Sequence, residues 1–113
     1  AFLDALDTGV QLQMLRQTLD EMDGLVPRVD ELTRLWREGR AAELADILKS
    51  SFAGSPELYR RFVVQRNGDW LPRIEHLART RRDTVVVVGV LHLVGEDGLV
   101  TQLSRRGLTV TRE

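Results

Sequence analysis

The chain has 113 residues, with 16 basic and 17 acidic side chains, a formal net charge of −1 and 42% hydrophobic residues. This length suits one domain, and the hydrophobic fraction is too high for a disordered chain. The lack of cysteine excludes disulfides, zinc ribbons and thiol nucleophiles, and the balanced charge argues against a nucleic-acid-binding role. No run of 18 apolar residues occurs, so the sequence predicts no membrane span and one domain over residues 1–113.

The first eighty residues have the spacing of helices. Ser55-Pro56 is typical of a helix start, because serine caps helices and proline fits the first helical position. We predict five helical segments in residues 9–80 and a helical part over residues 1–82. The first of these segments carries apolar residues at intervals of three and four, which is the period of one helix face: Leu12, Leu15, Leu19 and Met22.

Residues 83–113 have a different character. Val85–Val88 is a β-branched run without alternation, which is typical of a strand buried on both faces. We predict this strand at about 84–90, a helix at about 96–105 and a second strand at about 108–112. The predicted fold class is therefore α/β, a helix-rich N-terminal part followed by a C-terminal β-α-β unit. The valine strand should be the most buried segment.

The end of the predicted valine strand has the composition of a ligand site. Ligands of α/β proteins collect where strands end, and there Gly89 frees the backbone and His92 follows. A neutral imidazole can bind a metal or act as a general base, and ordinary packing of His92 is the alternative. We expect Gly89 and Glu96 to contact substrate, although an acidic residue at this position also suits a helix start.

Arg66-Asn67 is the second candidate, at the junction of two helical patterns. Arginine at a helix boundary can bind an anionic group or orient a carboxylate. The alternative is that Asn67 caps a helix and Arg66 is solvated. We expect Arg66 to lie near His92, because the helix that follows spans about 20 Å and the strand returns over a similar distance.

The order of four motifs resembles the C-terminal half of the TraB/GumN family. The resemblance covers essentially the whole chain, and its specific part runs from residue 66 to residue 110. The motifs are Arg66-Asn67-x-x-Trp70, Gly89-Val90-Leu91-His92, Gly95-x-x-Gly98-Leu99 and Gly107-x-x-Val110.

This resemblance implies an α/β fold of the erythromycin-esterase/ChaN-like type and a divalent-metal-dependent hydrolase or peptidase with two G-x-x-H motifs. The segment Gly89–His92 matches the second motif, this chain has no other, and Gln65 stands where the family often has glutamate. The resemblance makes His92 a metal ligand. It also makes His92, Arg66 and Asn67 catalytic residues. It implies Mn, Co or Zn in the full-length protein, while we expect no cofactor in this fragment.

Three functions remain open: a hydrolase fragment that is inactive alone, a non-catalytic ligand-binding or regulatory module, and a scaffold that packs on itself. The ligand would be a peptide or a small molecule. We expect a homodimer, because a two-stranded sheet leaves exposed edges that seek a partner. The resemblance also favours a periplasmic or cell-envelope location over the cytoplasm.

Overall fold

A computed structural model describes residues 5–80 and 82–111. The chain divides into two compact units, Ala1–Arg34 and Leu35–Glu113. Compact units of this size are not by themselves separate domains, so the single-domain expectation stays a prediction.

The first unit consists of helices joined without a loop. Helix α1 spans Thr8–Glu21, a 3₁₀ turn follows at Met22–Gly24, and helix α2 spans Leu25–Glu38, ending in the second unit. Asp7 caps α1, because its side-chain oxygen accepts a hydrogen bond from the Gly9 N–H at 2.8 Å. None of the residues described in α1 is buried.

The second unit contains the remaining helices. Gly39, at φ 74°, ends α2 in the left-handed conformation that closes helices. The elements after it are α3 (Ala41–Ser50), α4 (Pro56–Tyr59), a π-helical turn (Arg60–Gln65), α5 (Arg66–Ala78), a 3₁₀ turn (Val90–His92) and α6 (Leu99–Arg105). Pro56 is the first residue of α4, as the sequence predicted, and the helical character of residues 9–80 is confirmed.

The core of the second unit follows one face of the continuous helix 56–78. Leu58, Val63, Asn67 and Leu71 are all at most 5% exposed. The first interval is five residues and the next two are four. A π-helical turn holds one more residue than an α-helical turn, so it keeps Leu58 on the buried face despite the longer interval. This face therefore places the polar side chain of Asn67 inside the core.

The α/β prediction is wrong. The described residues contain no β-strand, and the described part of the predicted β-α-β unit, residues 83–111, contains only α6 and the 3₁₀ turn as regular structure. Residues 83–89 are not helical, which agrees with the preference of β-branched side chains for extended backbone. Their backbone pairs with no strand among the described residues. Val85 and Val87 are 87% and 88% exposed, so the predicted burial of this segment is wrong as well. A segment with high β-propensity does not form a sheet unless a second strand pairs with it.

The end of the chain departs from the prediction in two further ways. Residues 108–111 of the predicted second strand form no strand, and residue 112 lies outside the described residues. The predicted helix at 96–105 is present but begins at Leu99. It begins late because Gly95, at φ +80°, starts a turn in which the Gly98 N–H donates to the Gly95 carbonyl.

Candidate functional site

The side-chain amide of Asn67 lies at the centre of the candidate site. It is 1% exposed, and its position on α5 follows from the buried face of helix 56–78. Its nitrogen Nδ2 donates to the carbonyl oxygens of His92 at 3.2 Å and Asp97 at 2.8 Å. Its oxygen Oδ1 lies 2.8 Å from His92 Nδ1. One amide therefore holds both ends of the loop 92–97 against α5.

These contacts fix the tautomer of His92. Backbone carbonyls only accept hydrogen bonds, so the two contacts at 3.2 and 2.8 Å identify the amide nitrogen and leave Oδ1 to face the ring. An amide oxygen also only accepts, so Nδ1 of His92 carries the proton. The neutral imidazole therefore keeps its lone pair on Nε2, the nitrogen that can take a proton or a ligand.

The second ring nitrogen of His92, Nε2, is not engaged by the residues that the structure describes. Nε2 makes no hydrogen bond with the residues that the structure describes, and no fully buried side-chain nitrogen or oxygen among them lacks a partner. His92 as a whole is only 9% exposed and its Nδ1 is engaged by Asn67, so the ring is held firmly while Nε2 has no partner among the described residues. This is the arrangement that a proton acceptor or a ligand-binding nitrogen requires.

Trp70 lies in contact with both His92 and Arg66. The Trp70 ring lies 4.8 Å from the His92 ring, centroid to centroid, with an interplanar angle of 55°. The guanidinium carbon of Arg66 lies 4.8 Å from the Trp70 centroid, a cation–π contact. The expected proximity of Arg66 and His92 is therefore present, with Trp70 between them.

These three side chains line an open groove of about 570 Å³. Along α5 its wall is formed by residues spaced three and four apart, which are Arg66, Trp70, Arg73, Ile74 and Leu77. Residues 86–89 and His92 line the rest of the groove. Among the described residues no acidic side chain lines the groove, so it combines an apolar body with two positive charges.

The groove keeps His92 neutral. Partial burial lowers the pKa of His92 below its ordinary value, and the nearby positive charge of Arg66 lowers that pKa further. Both causes disfavour the imidazolium. At neutral pH the imidazole of His92 is therefore neutral, with its proton on Nδ1 and its lone pair on Nε2.

A second polar link anchors the loop that carries His92. The Tyr59 hydroxyl donates to Asp97 Oδ2 at 2.9 Å, and burial together with this carboxylate raises the pKa of Tyr59 to about 12. Gly98 follows Asp97 at a point where a Cβ would overlap Leu93 O and lie 2.5 Å from Val94 O. Only glycine fits there, so the tight turn depends on that residue.

The predicted site residues do not all gather in the groove. Arg66, His92 and Gly89 line it, whereas Asn67 lies behind His92 in the core. Glu96 is exposed, forms an ion pair with Arg105 and is not among the residues that line the groove. Sequence reasoning missed Arg73, which the interval of seven from Arg66 places on the same face of α5.

The described residues do not group metal ligands around His92. The described residues contain no group of three or more histidine, cysteine, aspartate or glutamate side chains that could hold an ion. His92 is accompanied in the groove by two arginines, which repel a cation. The donor set around His92 therefore does not fit a divalent metal.

Comparison with known families decides the classification. The model of the TraB/PrgY/gumN family matches residues 1–112. The chain belongs to the TraB/PrgY/gumN family. No match was found among curated proteins or among solved structures. Within this TraB/PrgY/gumN chain, none of the helices described is long and apolar enough to cross a membrane.

Proposed function

We propose that the groove beside His92 binds a ligand that carries an anionic group on an apolar body. The observation that supports this most is the composition of the groove, in which Arg66 and Arg73 lie beside Trp70, Ile74 and Leu77. Small-molecule sites are mostly apolar with a few placed polar groups, and arginine suits a carboxylate because its planar fork can bind both oxygens. A short peptide with a free carboxylate and an apolar side chain has this chemistry.

Each part of the groove has a separate role in this proposal. Arg66 and Arg73 bind the anion, and the rings of Trp70 and His92 cover the apolar body. His92 Nε2 accepts a hydrogen bond from the ligand, because Nδ1 is already engaged by Asn67. The valine segment 86–88 supplies the second apolar wall.

Calorimetric titration with N-acetyl-leucine and N-acetyl-leucinamide tests the proposal, because the two probes differ only in the charged group. We expect the carboxylate to bind more tightly than the amide. Arg73→Gln should weaken carboxylate binding by about 10- to 150-fold, since a charge-assisted contact contributes roughly 1.5–3 kcal/mol. Arg37→Gln, which removes an exposed arginine of α2 outside the groove, should leave binding unchanged. Equal affinity for the two probes would refute the anion site.

A second candidate function, a hydrolase in which His92 is the general base, is favoured by the fixed ring of His92. A general base needs a defined tautomer and a pKa below the working pH, and Asn67 and the groove supply these two conditions. In this reading Nε2 takes the proton of an attacking water while Arg66 binds the substrate anion. Ester or peptide hydrolysis that is lost in His92→Ala but kept in His76→Ala would support it.

The metal-dependent form of this hydrolase is not what the described residues favour. The donor set around His92 does not suit Mn, Co or Zn, and we derive no step through such an ion. A metal-dependent activity of the full-length family protein would need ligands that the described residues do not group together.

We also propose that the chain forms a homodimer. Its support is the amount of apolar side chain that the described residues leave exposed, above all in the first unit, where Leu12, Leu15, Leu19 and Met22 are each more than half exposed. Sedimentation velocity between about 1 and 100 μM tests the proposal, because dimerisation depends on concentration. A monomer over that whole range would contradict it.

A further inference from the structure

The apolar residues of the first unit form a seven-residue repeat. They occupy positions 12, 15, 19, 22, 26 and 29, at intervals of three, four, three, four and three. This is the a and d pattern that packs against another helix of the same kind. The exposures of the six residues lie between 50% and 70%: Leu12, Leu15, Leu19, Met22, Val26 and Val29.

The first unit does not bury the apolar side chains of this repeat. None of the residues described in α1 is buried, and the repeat continues along the chain through the 3₁₀ turn into the first turns of α2. A helix of 14 residues is marginal in water without tertiary contacts, so α1 needs a surface to pack on. Large exposed apolar patches on soluble proteins mark interaction sites, and each of these six aliphatic side chains is at least half exposed.

We propose that this seam, the six residues at positions 12–29, is a coiled-coil interface that pairs two copies of the chain in antiparallel orientation. The inference rests on the proposed dimer and assigns its interface. A second copy is the occupant that fits, because the repeat is nearly symmetric about its midpoint between Leu19 and Met22. Reversing the partner helix therefore places Leu12 against Val29, Leu15 against Val26 and Leu19 against Met22.

The flanking charges select the antiparallel orientation. The positions that follow each d residue hold Arg16, Asp23 and Asp30. In an antiparallel pair these positions face one another, and Arg16 of one copy then lies near Asp23 or Asp30 of the other. In a parallel pair they would face Gln11, Thr18 and Leu25 instead, which offer no opposite charge. Charge complementarity of this kind fixes the orientation of coiled coils.

Single substitutions test the seam. Leu19→Asp puts a charge into the seam, and we expect it to raise the dimer dissociation constant roughly thirtyfold or more, as loss of a central interface residue does. Gln13→Asp introduces the same charge on the polar side of α1 and should leave the constant within about threefold. A dimer that survives Leu19→Asp would overturn the seam. If Leu19→Asp abolishes the dimer but N-acetyl-leucine still binds, the dimer interface is independent of the ligand groove, which lies in the second unit.

Cysteine cross-linking tests the orientation, because the chain has no native cysteine. A disulfide needs Cα atoms within about 7 Å. An oxidised mixture of Leu15→Cys and Val26→Cys chains should form the mixed disulfide, whereas Leu15→Cys alone should not, since residue 15 of one copy lies about 16 Å along the axis from residue 15 of the other. Efficient self-linking of Leu15→Cys would overturn the antiparallel arrangement.

Discussion

At the scale of single residues, the site depends on Asn67. Its amide makes three hydrogen bonds inside the core and leaves no donor or acceptor of the side chain facing apolar surroundings. A polar side chain that is fully satisfied costs little to bury and positions its partners well. It fixes the proton on His92 Nδ1 and anchors the Asp97 carbonyl, so one residue sets both the chemistry and the loop.

Replacing Asn67 with alanine should lower the free energy of unfolding by about 2–4 kcal/mol. The change leaves the Asp97 carbonyl and His92 Nδ1 without partners and opens a small cavity, and each unsatisfied buried group costs about 1–3 kcal/mol. Urea denaturation measures the change. Asp69→Ala, an exposed position on the same helix, should stay within about 0.5 kcal/mol. A loss at Asn67 no larger than this control would contradict the account.

The stability of the protein should fall as the pH drops below about 6.5. The pKa of His92 is lower in the folded protein than in the unfolded chain, so protons bind the unfolded state more readily. This contribution is complete above about 6.5, the unfolded value, and is lost as the pH falls through the folded pKa. Urea midpoints at pH 7.5 and 5.0 should therefore differ more in the wild type than in His92→Gln. An equal difference in both proteins would be inconsistent with a neutral His92.

Removing the charge of Arg66 should raise the pKa of His92 without restoring its ordinary value. Burial is the larger cause of the lowered pKa, and it remains in Arg66→Gln. NMR titration of the imidazole signals measures this pKa directly. A fall in the pKa on removing Arg66 would contradict the electrostatic coupling between the two side chains.

At the scale of elements, the loop between the 3₁₀ turn and α6 depends on Gly98. Alanine there brings a Cβ against the carbonyl oxygens of Leu93 and Val94, whereas a Cβ at Gly89 meets no atom within 4 Å. We therefore expect Gly98→Ala to destabilise the protein by roughly 1–3 kcal/mol, as overpacking does. Gly89→Ala is the matched control and should be neutral or slightly stabilising. Thermal denaturation of both variants measures this, and equal stability of the two would show that the turn tolerates a side chain at Gly98.

The exposed valine segment distinguishes the observed fold from the predicted one. Val87 is 88% exposed, so Val87→Lys should change the free energy of unfolding by no more than about 0.5 kcal/mol. In a strand buried on both faces the same change would bury a charge and unfold the domain. Chemical denaturation decides between the two, and Val63→Ala, at 1% exposure, should cost about 2 kcal/mol as the buried reference.

At the scale of the whole molecule, the sequence predicted local secondary structure better than it predicted which segments and side chains contact each other. Helical periodicity and the Ser55-Pro56 start identified the helices correctly, because these signals are local. The valine segment was wrongly predicted to be a strand. Its composition indicates extended backbone, but it carries no information on whether a neighbouring strand is present. Glu96 was placed in the site by proximity in sequence, although its carboxylate pairs with Arg105 instead.

The grouping of Arg66 and His92 could be predicted from chain geometry and from the family motifs. The role of Asn67 could not, because a helix-capping asparagine and a buried one have the same sequence signature. The π-helical turn that brings Asn67 into the core also leaves only an indirect signal, the five-residue interval from Leu58 to Val63. Arg73 was within reach of sequence reasoning, since the interval of seven from Arg66 places it on the same face.

The most direct test of the proposed ligand site is ¹⁵N NMR of the His92 ring during titration with N-acetyl-leucine and, separately, with N-acetyl-leucinamide. We predict a ring protonated at Nδ1 throughout, and an Nε2 signal that shifts in a saturable way with the carboxylate and at markedly higher concentration with the amide. An Nε2 signal that does not move with either probe, or that moves equally with both, would contradict the anion-binding groove.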